Sequence, residues 1–173
     1  MPVLVNVTTT YLHIPTRADF RPALSDDPDL LVLQAREPLP DFYRFLYRAV
    51  GKDYEWTDRN VLTDADLYGL LAKPSLTLLV LYFRGTPVGF MELDREATKP
   101  DVEVTYFGII SAFHGRGFGK YLLSAGVQRA YDDGANRVWL HTCTLDGPHA
   151  LPNYLARGFV AFKQTVSERL VGL

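Results

Sequence analysis

Ile109-Ile110-Ser111-Ala112-Phe113-His114-Gly115-Arg116-Gly117-Phe118-Gly119-Lys120 is the stretch on which the reading of this chain turns. It reads as the end of a buried strand, a glycine-rich turn and the first turn of a helix. A strand pattern precedes it from Val102. A helical pattern follows, with Leu123, Val127, Ala130 and Tyr131 on one stripe and Arg129, Asp132 and Asp133 left for solvent. Glycines at such a turn let a ligand approach the backbone without a Cβ in the way. The unpaired N–H groups of the first helical turn and the helix dipole make that end mildly positive, which suits a phosphate. Arg116 and Lys120 add charge beside it. A P-loop is excluded, because His114 stands where its first glycine belongs and Tyr121 where its hydroxyl belongs. The dinucleotide fingerprint fails too, since the glycines fall at 115, 117 and 119. Taken alone, the stretch reads equally well as a tight turn with no ligand.

A second stretch narrows this. Ala150-Leu151-Pro152-Asn153-Tyr154-Leu155-Ala156-Arg157-Gly158-Phe159 fits A-x-x-x-Y-x-x-x-G-F, and His114-x-x-Gly117-x-Gly119 fits Arg/Gln-x-x-Gly-x-Gly/Ala with His in the first place. Two separated motifs in this order are far more specific than either one. On them the chain resembles the GNAT superfamily of N-acetyltransferases, over roughly residues 76–165. The resemblance implies an α/β (α+β) fold: one domain over 1–173, with a mixed, mostly antiparallel sheet flanked by helices. It implies acetyl-CoA as acetyl donor and direct attack by an acceptor amine on the thioester. The turn His114, Gly115, Arg116, Gly117, Phe118, Gly119 and Lys120 would hold the pyrophosphate. The backbone of Phe107, Gly108 and Ile109 would hold the pantetheine arm, with Gly108 permitting a bulge. The family often has Asn where Gly147 stands; Asn153 or Asp146 would take over that contact.

Bulk properties fit one globular domain of 173 residues. Net charge is −2, so no broad basic surface for nucleic acid is implied. The single cysteine, Cys143, excludes an internal disulfide and suits a reducing compartment. No signal-peptide pattern opens the chain and no apolar run is long enough to span a membrane, so the expected place is the cytoplasm. Four scattered His and one Cys make no metal-ligand set.

In chain order, residues 3–14 read as a strand, 15–29 as a loop and 30–33 as a short strand. From Leu39 the pattern is helical, with Phe42, Phe45, Leu46 and Ala49 on one stripe and Gly51 as the stop. Residues 54–59 read as a loop; Thr63 or Asp64 would cap a short helix to Leu71. Strands follow at 76–83, 88–93 and 102–109. In the last of these, strict alternation puts Val102, Val104 and Tyr106 on one face and Glu103, Thr105 and Phe107 on the other. Residues 137–143 form another strand, 150–157 a short helix with Pro152 in its first turn, and 159–170 a closing hairpin.

An alkylamine is mostly protonated at neutral pH, so transfer to it needs a base. By the resemblance Glu103 is the leading base, often through water in the family, with Glu92 a competitor; Glu103 reads equally as a solvated strand residue. Tyr154 matches the tyrosine that protonates the departing thiolate, and its phenol can donate at neutral pH. By the resemblance His141 could face the cleft and help with proton transfer, although a strand histidine is more often simply hydrogen-bonded in place, and Cys143 reads as a small buried hydrophobe. Trp56 and Tyr54 read as packing under a loop. The acceptor expected is a small-molecule primary amine. A protein lysine or N-terminus is the alternative, and a coenzyme A-binding sensor without turnover is the alternative of another class, favoured by His114. Asp26, Asp27, Asp29, Asp58, Asp64 and Asp66 fit a cationic acceptor or a solvated surface alike. Small homodimers are common in the family.

Overall fold

The structure, a computed structural model, describes residues 2–172. Seven strands form one sheet: β1 (Val3–Ile14), β2 (Leu30–Ala35), β3 (Leu76–Phe83), β4 (Thr86–Arg95), β5 (Asp101–Ile109), β6 (Arg137–Cys143) and β7 (Val160–Val171). Their order is β2-β3-β4-β5-β6-β1-β7. Every pairing is antiparallel except that of β5 with β6. The helices are α1 (Pro40–Gly51), α2 (Asp64–Leu71), α3 (Phe118–Asp132) and α4 (Ala150–Ala156). This is the mixed α/β architecture expected from the sequence.

Each face of the sheet buries its own core. On one, α3 sets Leu122, Leu123 and Val127, all fully buried, against Leu12, Ile14, Met91, Val104 and Val138. On the other, α1 and α2 set Tyr43, Leu46, Tyr47, Val50 and Leu67 against Leu78, Val80 and Phe90. At about 1.5–3 kcal/mol per buried large apolar side chain, these two layers are the main favourable term holding the sheet between its helices. Local signals set the boundaries. Pro40 begins α1 in its first turn, Thr63 Oγ1 accepts from the Asp66 N–H at 3.1 Å to cap α2, and Gly134 follows α3 at φ +89°.

Three expectations are corrected. The buried stripe of α1 is Tyr43, Leu46, Tyr47 and Val50, while Phe45 is exposed. The helix has aromatics all round, and the stripe nearest Phe90 wins. Residues 160–171 form one continuous strand and not a hairpin: the run has no turn-forming Gly, Pro, Asn or Asp, and it pairs with β1 from Val3↔Val171 to His13↔Val160. The third correction lies in β5. Leu93 pairs with Val104 but Glu92 with Tyr106, so Thr105 is an extra residue. This bulge, and not Gly108, breaks the alternation. Phe107 therefore joins the α3 core with Val104, and Tyr106 joins the α1 core.

Candidate active site

Strands β5 and β6 pair over only three positions, Asp101↔Arg137, Val102↔Val138 and Glu103↔Trp139. Beyond Glu103 they part, and the β5 edge from Val104 to Ile109 is left without a ladder on that side. A cavity of about 1280 Å³ opens where the strands separate. The N-terminus of α3 lines it through Phe118, Gly119 and Lys120. Gly115 and Gly117 hold φ of +77° and +79°, a region costly for residues with a Cβ. Gly117 is the residue before α3, so no side chain caps the first-turn N–H groups. A Cβ on Gly117 would come within 3.1 Å of Lys120 Cε, which places the lysine stem over the turn. Uncapped amides, a helix dipole and one lysine form an anion cradle.

The cavity brings together Glu103, Phe107, Gly108, Ile109, His114, Gly115, Gly117, Phe118, Gly119, Lys120, Asn153 and Tyr154. Arg116 is not among its lining; its guanidinium lies 5.3 Å from the Phe113 ring centre and 5.8 Å from that of Phe83. His114, which stands in the Arg/Gln place, turns inward. Its Nε2 lies 2.8 Å from the Ile109 carbonyl oxygen, which can only accept, so Nε2 carries the proton there. The histidine thus ties the turn to the end of β5 and occupies one strand carbonyl. Asp146 is also engaged: it accepts from the Thr142 hydroxyl and, at 2.9 Å, from the Cys143 N–H. Cys143 is half-buried and lines the cavity, in place of the buried position expected of it.

Three titratable groups of the cavity lining bear on proton transfer. Glu103 on β5 faces His141 on β6, with 3.9 Å between Oε1 and Nε2. Burial pushes the Glu103 carboxyl up to about 7, helped by the negative charges of Asp94, Glu96 and Glu92. Burial holds the His141 imidazole below its ordinary value; Arg169 acts the same way, while Asp146 opposes it. Tyr154 on α4 is 7% exposed and lines the cavity, and burial, then Asp146 and Tyr54, raise its phenol further. At neutral pH it is a proton donor.

Glu92 cannot compete as a base. It is fully buried, accepts from Tyr43 OH at 2.6 Å and Thr105 Oγ1 at 2.9 Å, and pairs with Arg59 Nη2 at 2.6 Å. One wall of the cavity is the segment 54–59 with Tyr47 and Tyr106. Trp56 packs on Tyr106 and Tyr47 at 4.9 and 5.5 Å between ring centres. Sequence reasoning missed Arg59, because a lone arginine in a loop carries no signal. The signal available for Glu92 was a carboxylate inside an apolar strand run. The β1/β7 ribbon overruns β6, and Arg169, Leu170 and Val171 form the remaining rim. Among the described residues no group of three or more His, Cys, Asp or Glu is placed to hold a metal, and no helix is long and apolar enough to cross a membrane.

Comparison with known proteins gives the geometry its context. No curated protein matches the chain. Among solved structures, a functionally unknown conserved protein from Staphylococcus epidermidis is 20% identical with TM-score 0.70, over 96% of this chain and 62% of its own. A GCN5-related N-acetyltransferase from Kribbella flavida is 17% identical with TM-score 0.66, over 96% of this chain and 59% of its own. An aminoglycoside acetyltransferase from an uncultured soil metagenomic sample is 19% identical with TM-score 0.65, over 77% of this chain and 90% of its own. The chain thus spans about three fifths of the first two, and the likeness to all three is one of fold. The profile of the Acetyltransferase (GNAT) family matches residues 37–159, which hold the parted strands, the glycine turn and Tyr154. By that match the chain belongs to the GNAT acetyltransferase family.

Proposed function

We propose that this protein binds acetyl-CoA in the cleft between β5 and β6 and transfers the acetyl group to the primary amine of a small molecule. The observation that carries the reading is the parting of β5 from β6 after Glu103, with the uncapped α3 amides at one end of the gap and Glu103 at the other. The residues fit the coenzyme. Without a Cβ at Gly117 the Lys120 stem lies close over the turn, at Gly119 a Cβ would stand 3.8 Å from Asn153 and Ile109, and Lys120 supplies the charge. When bound, acetyl-CoA would supply an acyl thioester whose carbonyl carbon is open to attack by an amine.

The α3 first-turn N–H groups and Lys120 bind and orient the pyrophosphate. The free β5 edge lies beside the arm that follows. Glu103, poised near neutral pH, accepts the proton the amine must lose, directly or through water, with His141 beside it. Tyr154 donates a proton to the sulfur that leaves. Phe107 and Tyr154, 6.2 Å apart by ring centres, keep that end of the cleft apolar. A small-molecule acceptor is supported by the wall at 54–59, which lines the cavity, and by the aminoglycoside acetyltransferase among the similar structures. A cytoplasmic setting would supply both acetyl-CoA and the reducing conditions that one free cysteine tolerates. The test is thiol release from acetyl-CoA across a panel of primary amines and lysine peptides. Release with a small amine supports the reading. Release with peptides alone, or with none while acetyl-CoA binds, overturns it.

A further inference from the structure

We infer that Arg59 and Glu92 are positioning residues: an ion pair between a half-buried arginine and a fully buried carboxylate that pins the loop 52–62 as the acceptor wall of the cleft. The inference rests on the cleft being the transfer site. The loop has no helix or strand of its own, yet it supplies the cavity lining from Tyr54 to Arg59. Side chains hold it at both ends. At one, Trp56 fills a notch at the end of α1, where a Cβ on Gly51 would fall 2.6 Å from the indole's own Cβ. At the other, Arg44 Nη2 donates to the Leu62 carbonyl at 2.8 Å. Between them, Arg59 reaches down through the wall to Glu92 on β4.

The chemistry of that contact is asymmetric. Glu92 is fully buried and its carboxylate would be costly there without a partner. Tyr43, Thr105 and Arg59 complete its shell, but only Arg59 brings positive charge. The carboxylate therefore holds the arginine, and the arginine holds the loop. The guanidinium also lies 5.1 Å from the Tyr106 ring centre, so the same side chain fixes the aromatic that faces the cavity. Beside it, Tyr106 OH donates to Asp58 Oδ2 at 3.3 Å. Loss of the pair would free the wall directly, and among the described residues no hydrogen bond or ion pair joins Arg59 or Glu92 to the α3 turn.

The experiment compares native protein with Arg59→Met, Arg59→Lys and the double variant Arg59→Met/Glu92→Gln. The double variant leaves no unpaired buried charge, so it stays informative if Arg59→Met alone fails to fold. Two readouts are taken: amide deuterium exchange of residues 52–62, and kinetics with the amine that gives the fastest thiol release in the panel. Acetyl-CoA calorimetry is the control, and it reports separately on the transfer-site reading. Expected is exchange faster by roughly tenfold or more, confined to the loop. The KM for the amine rises by a similar factor, acetyl-CoA affinity stays within roughly twofold, and Arg59→Lys restores part of both. Unchanged loop exchange in a folded double variant overturns the inference. So does a loss of acetyl-CoA affinity as large as the rise in amine KM.

Discussion

Glu103→Gln tests the electrostatics of the cleft without any knowledge of the acceptor. In the folded chain the Glu103 carboxyl titrates at about 7, against an ordinary 4.5, with burial as the first cause and Asp94, Glu96 and Glu92 behind it. The folded state therefore holds a proton that the unfolded chain gives up. Between pH 4.5 and 7 the native state binds more protons than the unfolded one, so stability falls as pH rises through that window. At ~1.36 kcal/mol per pH step the ceiling is about 3 kcal/mol. The side chain is 25% exposed, so water and local relaxation reduce this to about 1–2 kcal/mol. Glutamine has the same shape and no charge, so it escapes the penalty. At pH 8 the variant should melt roughly 2–8 °C above the native protein, and at pH 4.5 the two should nearly coincide. The assay is thermal unfolding followed by circular dichroism across that pH range. A variant that melts no higher than native at pH 8, or gains more at pH 4.5 than at pH 8, would refute the reasoning.

Two other outcomes follow from the geometry. Tyr154→Phe should lower kcat for acetyl transfer by roughly 10²–10⁴, the range for loss of a general acid, with acetyl-CoA affinity nearly unchanged in calorimetry; an unaltered kcat would remove Tyr154 from the proton path. Gly108→Ala would set a Cβ 2.3 Å from Val50 Cγ1, an overpacking that should cost about 1–3 kcal/mol in chemical denaturation, and a neutral result would mean that α1 yields there.

Much of the fold was legible in the sequence because its signals are local. The Thr63 cap, Gly134 after α3, the apolar run of β3 and the glycine turn each act over a few residues. What the sequence hid depends on pairing across long separations. The bulge at Thr105 leaves no mark in the alternation of β5, yet it exchanges the faces of Tyr106 and Phe107. That exchange is what sends Tyr106 to the α1 side of the sheet, beside the cavity wall at 54–59. The lodging of β1 between β6 and β7 joins the two ends of the chain, and no spacing announces it. In α1, aromatics at 42, 43, 45 and 47 offer two stripes, and only the position of Phe90 chooses between them.

The site shows the same division. Motifs marked the proposed coenzyme end at Phe107 to Ile109, His114 to Lys120, Asn153 and Tyr154, and these residues line one cavity apart from Arg116. The proposed acceptor end was marked by Glu103, with His141 only as a weaker candidate. Its parts beyond Glu103, His141 across the gap and Arg59 on Glu92, come from different segments that meet only when the sheet closes. A loop arginine and a strand carboxylate 33 residues apart carry no joint pattern.

The central claim is that acetyl-CoA sits on the α3 turn, and isothermal titration of native protein and Gly117→Trp with acetyl-CoA tests it most directly. Micromolar binding by the native protein, lost in a variant whose circular dichroism is unchanged, is the predicted result. No binding by the native protein, or equal binding by the variant, would contradict it.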